Sequence, residues 1–212
     1  MVEPSIDGAA MLEQARTFLR AEARVVAAVA EQLDEAFVQL VRLFARFTGR
    51  IFVTGAGPSG AMADRLALLL GTCGMPAFFI PGGDALHGES ALATPGDILI
   101  TLCKAGKSAD LNQYAGMAGR RGCTAIARTA DPDTELASLS HLVIVTESGA
   151  LGEEEGVLPF GSTLADGALG ALCLMAKRMR GFDLRQLPQT HPLGGASELV
   201  GGTTDMRNED GR

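Results

Sequence analysis

From Arg50 onward, short β-branched and apolar runs alternate with stretches of helical periodicity, and this alternation constrains the fold more than any other property of the chain. The runs are Ile51–Thr54, Ala77–Ile80, Ile98–Leu102, Thr124–Ala127 and Leu142–Thr146. Helical patterns separate them at Ser59–Thr72, Ser108–Arg121 and, more weakly, Asp133–Ser138, and a long one follows over Ser162–Arg180. Short apolar strands that each give way to a helix belong to parallel sheets covered on both faces. Right-handed crossovers then make the fold α/β, a doubly wound layer of five parallel strands flanked by helices.

Two helices are predicted ahead of the sheet. Asp7 is placed to cap the first, with apolar positions at Leu12, Ala15, Phe18, Leu19, Val25, Val26 and Val29. The second runs through Leu33, Phe37, Leu40, Val41, Phe44 and Phe47 and ends near Gly49. Because both are apolar on two sides, residues 1–49 are expected to pack on the core or on a neighbouring subunit. Residues 50–200 form the α/β domain. Residues 201–212 offer no apolar face and are expected to be disordered.

Composition excludes several classes. A formal net charge of −7 does not suit a nucleic-acid surface, which needs a basic stripe. No apolar run reaches the roughly 18 residues of a membrane span, and the first eight residues do not read as a signal peptide. Cys73, Cys103, Cys123 and Cys173 are widely spaced, with neither metal-ligand nor disulfide-framework spacing. They read as reduced, mostly buried thiols of a cytoplasmic protein that needs no metal and no cofactor.

Ligands of open α/β sheets bind beyond the carboxyl ends of the strands. Two of those ends read Thr54-Gly55-Ala56-Gly57-Pro58-Ser59-Gly60 and Cys103-Lys104-Ala105-Gly106-Lys107-Ser108. Each is a strand, a glycine turn and a helix start, where backbone amides and the helix dipole favour an anion. Ser59 and Ser108 are placed to cap those helices and to offer hydroxyls to a phosphate. Gly55, Gly57 and Gly60 satisfy the dinucleotide fingerprint, but Phe78-Phe79-Ile80-Pro81 stands where that motif needs an acid for the ribose. Gly106-Lys107-Ser108 ends like a phosphate-binding P-loop, yet Thr101 replaces the glycine five positions earlier.

These segments resemble the sugar-isomerase (SIS) superfamily. The turn Gly55–Gly60 resembles its first phosphosugar loop. Pro81-Gly82-Gly83-Asp84-Ala85-Leu86-His87-Gly88-Glu89-Ser90 resembles the His-Gly loop of arabinose-5-phosphate isomerases, and Thr190-His191-Pro192-Leu193-Gly194-Gly195 resembles their carboxyl-end element. Pro159-Phe160-Gly161-Ser162-Thr163 is similar to the start of their long helix, with a flavour of 6-phospho-3-hexuloisomerases. The resemblance covers residues 30–200, without the family's usual CBS domains. Three departures stand out. Pro58 replaces a lysine, Lys104 and Lys107 enter a loop that is serine-rich in the isomerases, and Asp110 occupies the place of a glutamate. A second family glutamate maps onto Leu151 or onto the Glu153–Glu155 run, of which Glu153 is the choice.

The resemblance implies aldose–ketose isomerisation of a sugar phosphate through an enediol, independent of metal, in a homo-oligomer (dimer or tetramer). It assigns acid–base and carbonyl-polarising work to His87, His191, Asp110 and Glu153. Substrate binding falls to Gly55, Gly57, Ser59, Lys104, Lys107, Ser108, Ser162 and Thr163. A hexulose-phosphate isomerase and a non-catalytic sugar-phosphate sensor are the alternatives. His141, at the start of a strand, reads as structural.

Overall fold

The computed structural model describes residues 7–147 and 169–181. Five strands, β1 (Ile51–Gly55), β2 (Ala77–Pro81), β3 (Ile98–Leu102), β4 (Thr124–Thr129) and β5 (Leu142–Val145), form one sheet in the order β2-β1-β3-β4-β5. Every neighbouring pair is parallel. The expected doubly wound layer is therefore present, with each strand boundary within two residues of its sequence-based place. β1 and β3 are buried along their whole length, which explains why they read as unbroken apolar runs rather than as alternating ones.

Successive side chains of a strand point to opposite faces, and the two cores follow that rule. On one face Val53, Ile100, Ile126 and Ile144 meet α2 (Glu35–Arg46), α3 (Pro58–Thr72) and α7 (Gly170–Met179) through Phe44, Leu70 and Leu172. On the other, Phe52, Ile80, Leu99 and Ala127 meet α5 (Ala109–Arg120) and α6 (Glu135–Ser138) through Leu111, Tyr114, Ala118 and Leu136. Burial pushes the Tyr114 phenol up to about 12 and the Cys173 thiol likewise to about 12. Of the four cysteines only Cys73 is not buried, in line with the mostly buried thiols expected.

α1 (Gly8–Ala30) starts at the predicted cap, where the Asp7 carboxylate accepts from the amides of Ala9 and Ala10. It buries only Ala21, Val25 and Val29 and leaves Met11, Leu12 and Leu19 more than half exposed. The two-sided apolar pattern thus splits: α2 joins the core, whereas the first half of α1 finds no cover within the chain's described residues. α2 ends at Arg46 rather than near Gly49, and Arg180 Nη1 donates to the carbonyls of Phe44 (3.1 Å) and Phe47 (2.6 Å) there.

The amino edge of the sheet is tied by Asp97. Its carboxylate accepts from the amides of Arg50 (3.0 Å) and Thr94 (2.9 Å) and from the Arg50 guanidinium (2.8 Å). Burial alone would raise the Asp97 pKa, but these hydrogen bonds outweigh it and hold the carboxyl below its ordinary value. His141 is structural, as expected: its Nδ1 accepts from the Ala125 amide at 3.0 Å. Among the described residues no helix is long and apolar enough to cross a membrane, and no group of acidic, His or Cys side chains could hold a metal ion.

Candidate functional site

β1 leads to β2 on one side of it, and β3 lies on the other, so the sheet's order reverses between β1 and β3. A crevice opens outside the carboxyl ends of strands at such a point. The two glycine turns singled out in the sequence flank it.

The first turn is built for close approach. A Cβ on Gly55 would lie 2.8 Å from the Ser59 carbonyl oxygen, and one on Gly60 would lie 3.1 Å from that of Gly55. Gly57, at a φ of +55°, caps α3 without a side chain, and Pro58 opens the helix, where a missing N–H costs nothing; Ser59 lies within the helix, a correction to the capping role expected for it. Gly82 starts α4 (Gly82–Ala85) against the same backbone, since a Cβ there would sit 3.1 Å from the Gly55 oxygen. Gly55, Gly57, Gly60, Gly82, Gly83 and Asp64 help line a cavity of about 360 Å³ at this corner.

The second turn is bound to the carboxyl end of β4 and to α5 and α6. The Lys104 carbonyl accepts from the Ala130 amide (2.9 Å) and the Thr129 hydroxyl (3.0 Å). The Gly106 carbonyl accepts from Asn112 Nδ2 (3.2 Å) and from the Leu136 amide (3.4 Å). Gly106 has a φ of +61°. Lys104 is half-buried and Lys107 exposed, and neither forms an ion pair among the described residues. Ser108 holds the N-cap position of α5 but its side chain makes no capping bond. The tight turn brings its hydroxyl within 3.4 Å of Cys103 Sγ instead, a correction to the capping role expected for it.

Gly55, Gly57, Ser59, Lys104, Lys107 and Ser108 thus line up along the carboxyl ends of β1 and β3, with Asp110 exposed in the first turn of α5. His87 lies one strand over, after β2, exposed between α4 and a 3-10 turn at Glu89–Leu92, with its amide on the Asp84 carbonyl (2.9 Å). His191, Glu153, Ser162 and Thr163 fall outside the described residues.

Two polar groups at this edge escape the sequence reading. Arg128, fully buried near the end of β4, donates from Nε to the Thr146 hydroxyl (2.8 Å) and from Nη2 to the Thr146 carbonyl (2.9 Å). An arginine inside an apolar run has no local signal that it will be buried. Glu147 lies just past β5, and both its backbone groups are held by Gln32: its amide donates to Oε1 (2.7 Å) and its carbonyl accepts from Nε2 (2.9 Å). A backbone clasp by a side chain 115 residues away has no local signal in the sequence.

The family model for the SIS domain matches residues 46–175, more than half of the chain. The chain belongs to the SIS-domain family. Its curated relatives include arabinose 5-phosphate isomerase KdsD of Pseudomonas aeruginosa, 27% identical over 186 residues, or 87% of this chain and 57% of that protein. This SIS domain accordingly spans a little over half the length of such relatives. A structure from Listeria monocytogenes classed among sugar-phosphate isomerases is 27% identical with a TM-score of 0.83, covering 89% of this chain and 100% of that one. An Escherichia coli CFT073 protein in complex with a sugar phosphate matches with a TM-score of 0.78, covering 88% and 100% of the two chains; at 22% identity it speaks for the fold alone.

Proposed function

We propose that this SIS domain is an aldose–ketose isomerase acting on a sugar phosphate, of the kind its KdsD relatives are named for. The observation that carries the reading is the pair of glycine turns at the β1/β3 crevice. Two helix N-termini meet there, with two lysines that form no ion pair among the described residues. The phosphate lies between them. Ser59 and Ser108 contribute hydroxyls, and Lys104 or Lys107 supplies the charge that Pro58 cannot. Ser162 and Thr163 complete the binding set.

Isomerisation opens the sugar ring and moves a proton between adjacent carbons through an enediol. His87 is the group for ring opening or carbonyl polarisation, and His191 is an acid–base group on the tail. Asp110 and Glu153 are the carboxylates that shuttle the proton. The exposed apolar face of α1 supports packing against a sister subunit in a homo-oligomer, so that a tail histidine can reach a neighbour's site.

A thermal-shift screen of sugar phosphates, led by arabinose 5-phosphate, selects the ligand, since selective binding raises the melting temperature by mass action. Conversion of that ligand to the corresponding 2-ketose is then followed in His87→Gln and His191→Gln. Each is expected to lower turnover by about 10²-fold or more. Full activity in either variant removes that residue from the mechanism. Binding without conversion in the unaltered protein selects the sensor reading, which the helix start at Pro58 favours, since no ammonium stands there to grip the substrate.

A further inference from the structure

The direction of the carbonyls in the Lys104–Ser108 turn determines what the turn offers a ligand. The Lys104 carbonyl meets two donors at the carboxyl end of β4, the Thr129 hydroxyl and the Ala130 amide, and the Gly106 carbonyl meets two on neighbouring helices, Asn112 Nδ2 of α5 and the Leu136 amide of α6. In a trans peptide the C=O and the following N–H point in opposite directions. The amides of Ala105 and Lys107 therefore face away from these donors, that of Ala105 away from β4 and so to the β1 side of β3, and neither has a hydrogen-bond partner among the described residues.

We propose that Asn112 and Glu135 are positioning residues that fix this polarity and hold the Ala105 and Lys107 amides toward the substrate's phosphate. The inference rests on the sugar-phosphate reading above. Asn112 is buried in α5, and its Nδ2 donates both to the Gly106 carbonyl (3.2 Å) and to Glu135 Oε2 (2.8 Å). Glu135 can only accept, so it forces the amide nitrogen of Asn112, not the oxygen, toward Gly106. Without that donor the Gly106 carbonyl keeps one long bond, from the Leu136 amide at 3.4 Å. The Gly106–Lys107 peptide is then free to flip, because a glycine at positive φ has no Cβ to oppose the rotation. A flipped peptide presents an oxygen to the anion in place of a donor.

The test uses the full chain with arabinose 5-phosphate and inorganic phosphate as probes, measured by calorimetry. Glu135 is exposed, so its replacement leaves the core intact. Glu135→Ala is expected to weaken both probes about five- to tenfold, the scale of one lost hydrogen bond, and Asn112→Ala at least as much. Glu135→Gln keeps an acceptor oxygen and is expected to stay within about twofold of the unaltered protein. That rescue separates positioning from general destabilisation, and it decides the matter even if Asn112→Ala does not fold. Lys104→Ala reports on the site itself. If Lys104→Ala weakens binding while Glu135→Ala does not, the phosphate site stands and the clamp is refuted. If neither matters, the phosphate site is misplaced and the clamp falls with it.

Discussion

Replacing Gly106 by alanine separates two costs that usually arrive together. At a φ of +61° an L residue carries a left-handed penalty of about 1–2 kcal/mol. The added Cβ also overlaps the Thr134 side chain, lying 2.5 Å from its Cβ and 2.8 Å from its Cγ2, with Oγ1 still nearer. Thr134 must move, and its hydroxyl is the N-cap of α6, accepting the Ala137 amide at 3.3 Å. Losing a threonine cap costs about 1 kcal/mol more. Gly181, just past the end of α7, is the control: its φ is +68° and nothing lies within 4 Å of an added Cβ, so Gly181→Ala carries the backbone penalty alone. Urea unfolding followed by far-UV circular dichroism should find Gly106→Ala less stable than Gly181→Ala by about 1–2 kcal/mol, the cap plus part of the overlap. Equal stabilities would show that Thr134 yields without cost and that the turn is not held as tightly as its hydrogen bonds imply.

Asp97→Asn should cost about 1.5–3 kcal/mol at pH 7, the range for hydrogen bonds to a charged group. The folded carboxyl pKa is depressed, so this stability is present above the unfolded value near about 3.9 and is lost as pH falls through the folded one. Urea midpoints of the two proteins should therefore converge as pH falls below the unfolded carboxyl value of about 3.9, and a gap that persists unchanged would assign the cost to shape rather than charge. Cys173, with its thiol pushed up to about 12 by burial, should resist an exposed-thiol reagent at about pH 8 until the protein unfolds. Half-buried Cys73 should label first, though slowly, its pKa also being raised; labelling of Cys173 ahead of Cys73 in the native state would contradict the packing of α7.

What the sequence made legible was local. The strand at Ile98–Leu102 was bounded to the residue, because a fully buried parallel strand is a continuous apolar run ended by turn residues. The glycines of the first turn were legible for the same reason: Gly55 and Gly60 answer to contacts within five positions of each other. The short helix at Gly82–Ala85 was not, since four residues hold barely one helical period and two of them are glycines, poor helix formers. The partners of Gly106 were also hidden. Glu135 meets Asn112 across 23 residues, and no periodicity links an exposed glutamate to a buried asparagine on another helix. α1 was legible only as apolar on two sides; periodicity does not tell which part the rest of the chain covers, and its buried residues, Ala21, Val25 and Val29, all lie in its second half.

The clasp of Gln32 on Glu147 joins parts of the chain that have separate jobs. Gln32 sits in the short link between α1 and α2, and it grips the backbone just where β5 leaves the sheet at its carboxyl edge. The side chain plays the part of one more strand, giving and taking a hydrogen bond with the same residue. A displacement of the helical hairpin must therefore either snap two hydrogen bonds or drag the exit of β5 along with it. The link between α1 and α2 and the end of β5 therefore stay together only as long as one glutamine keeps both of its bonds.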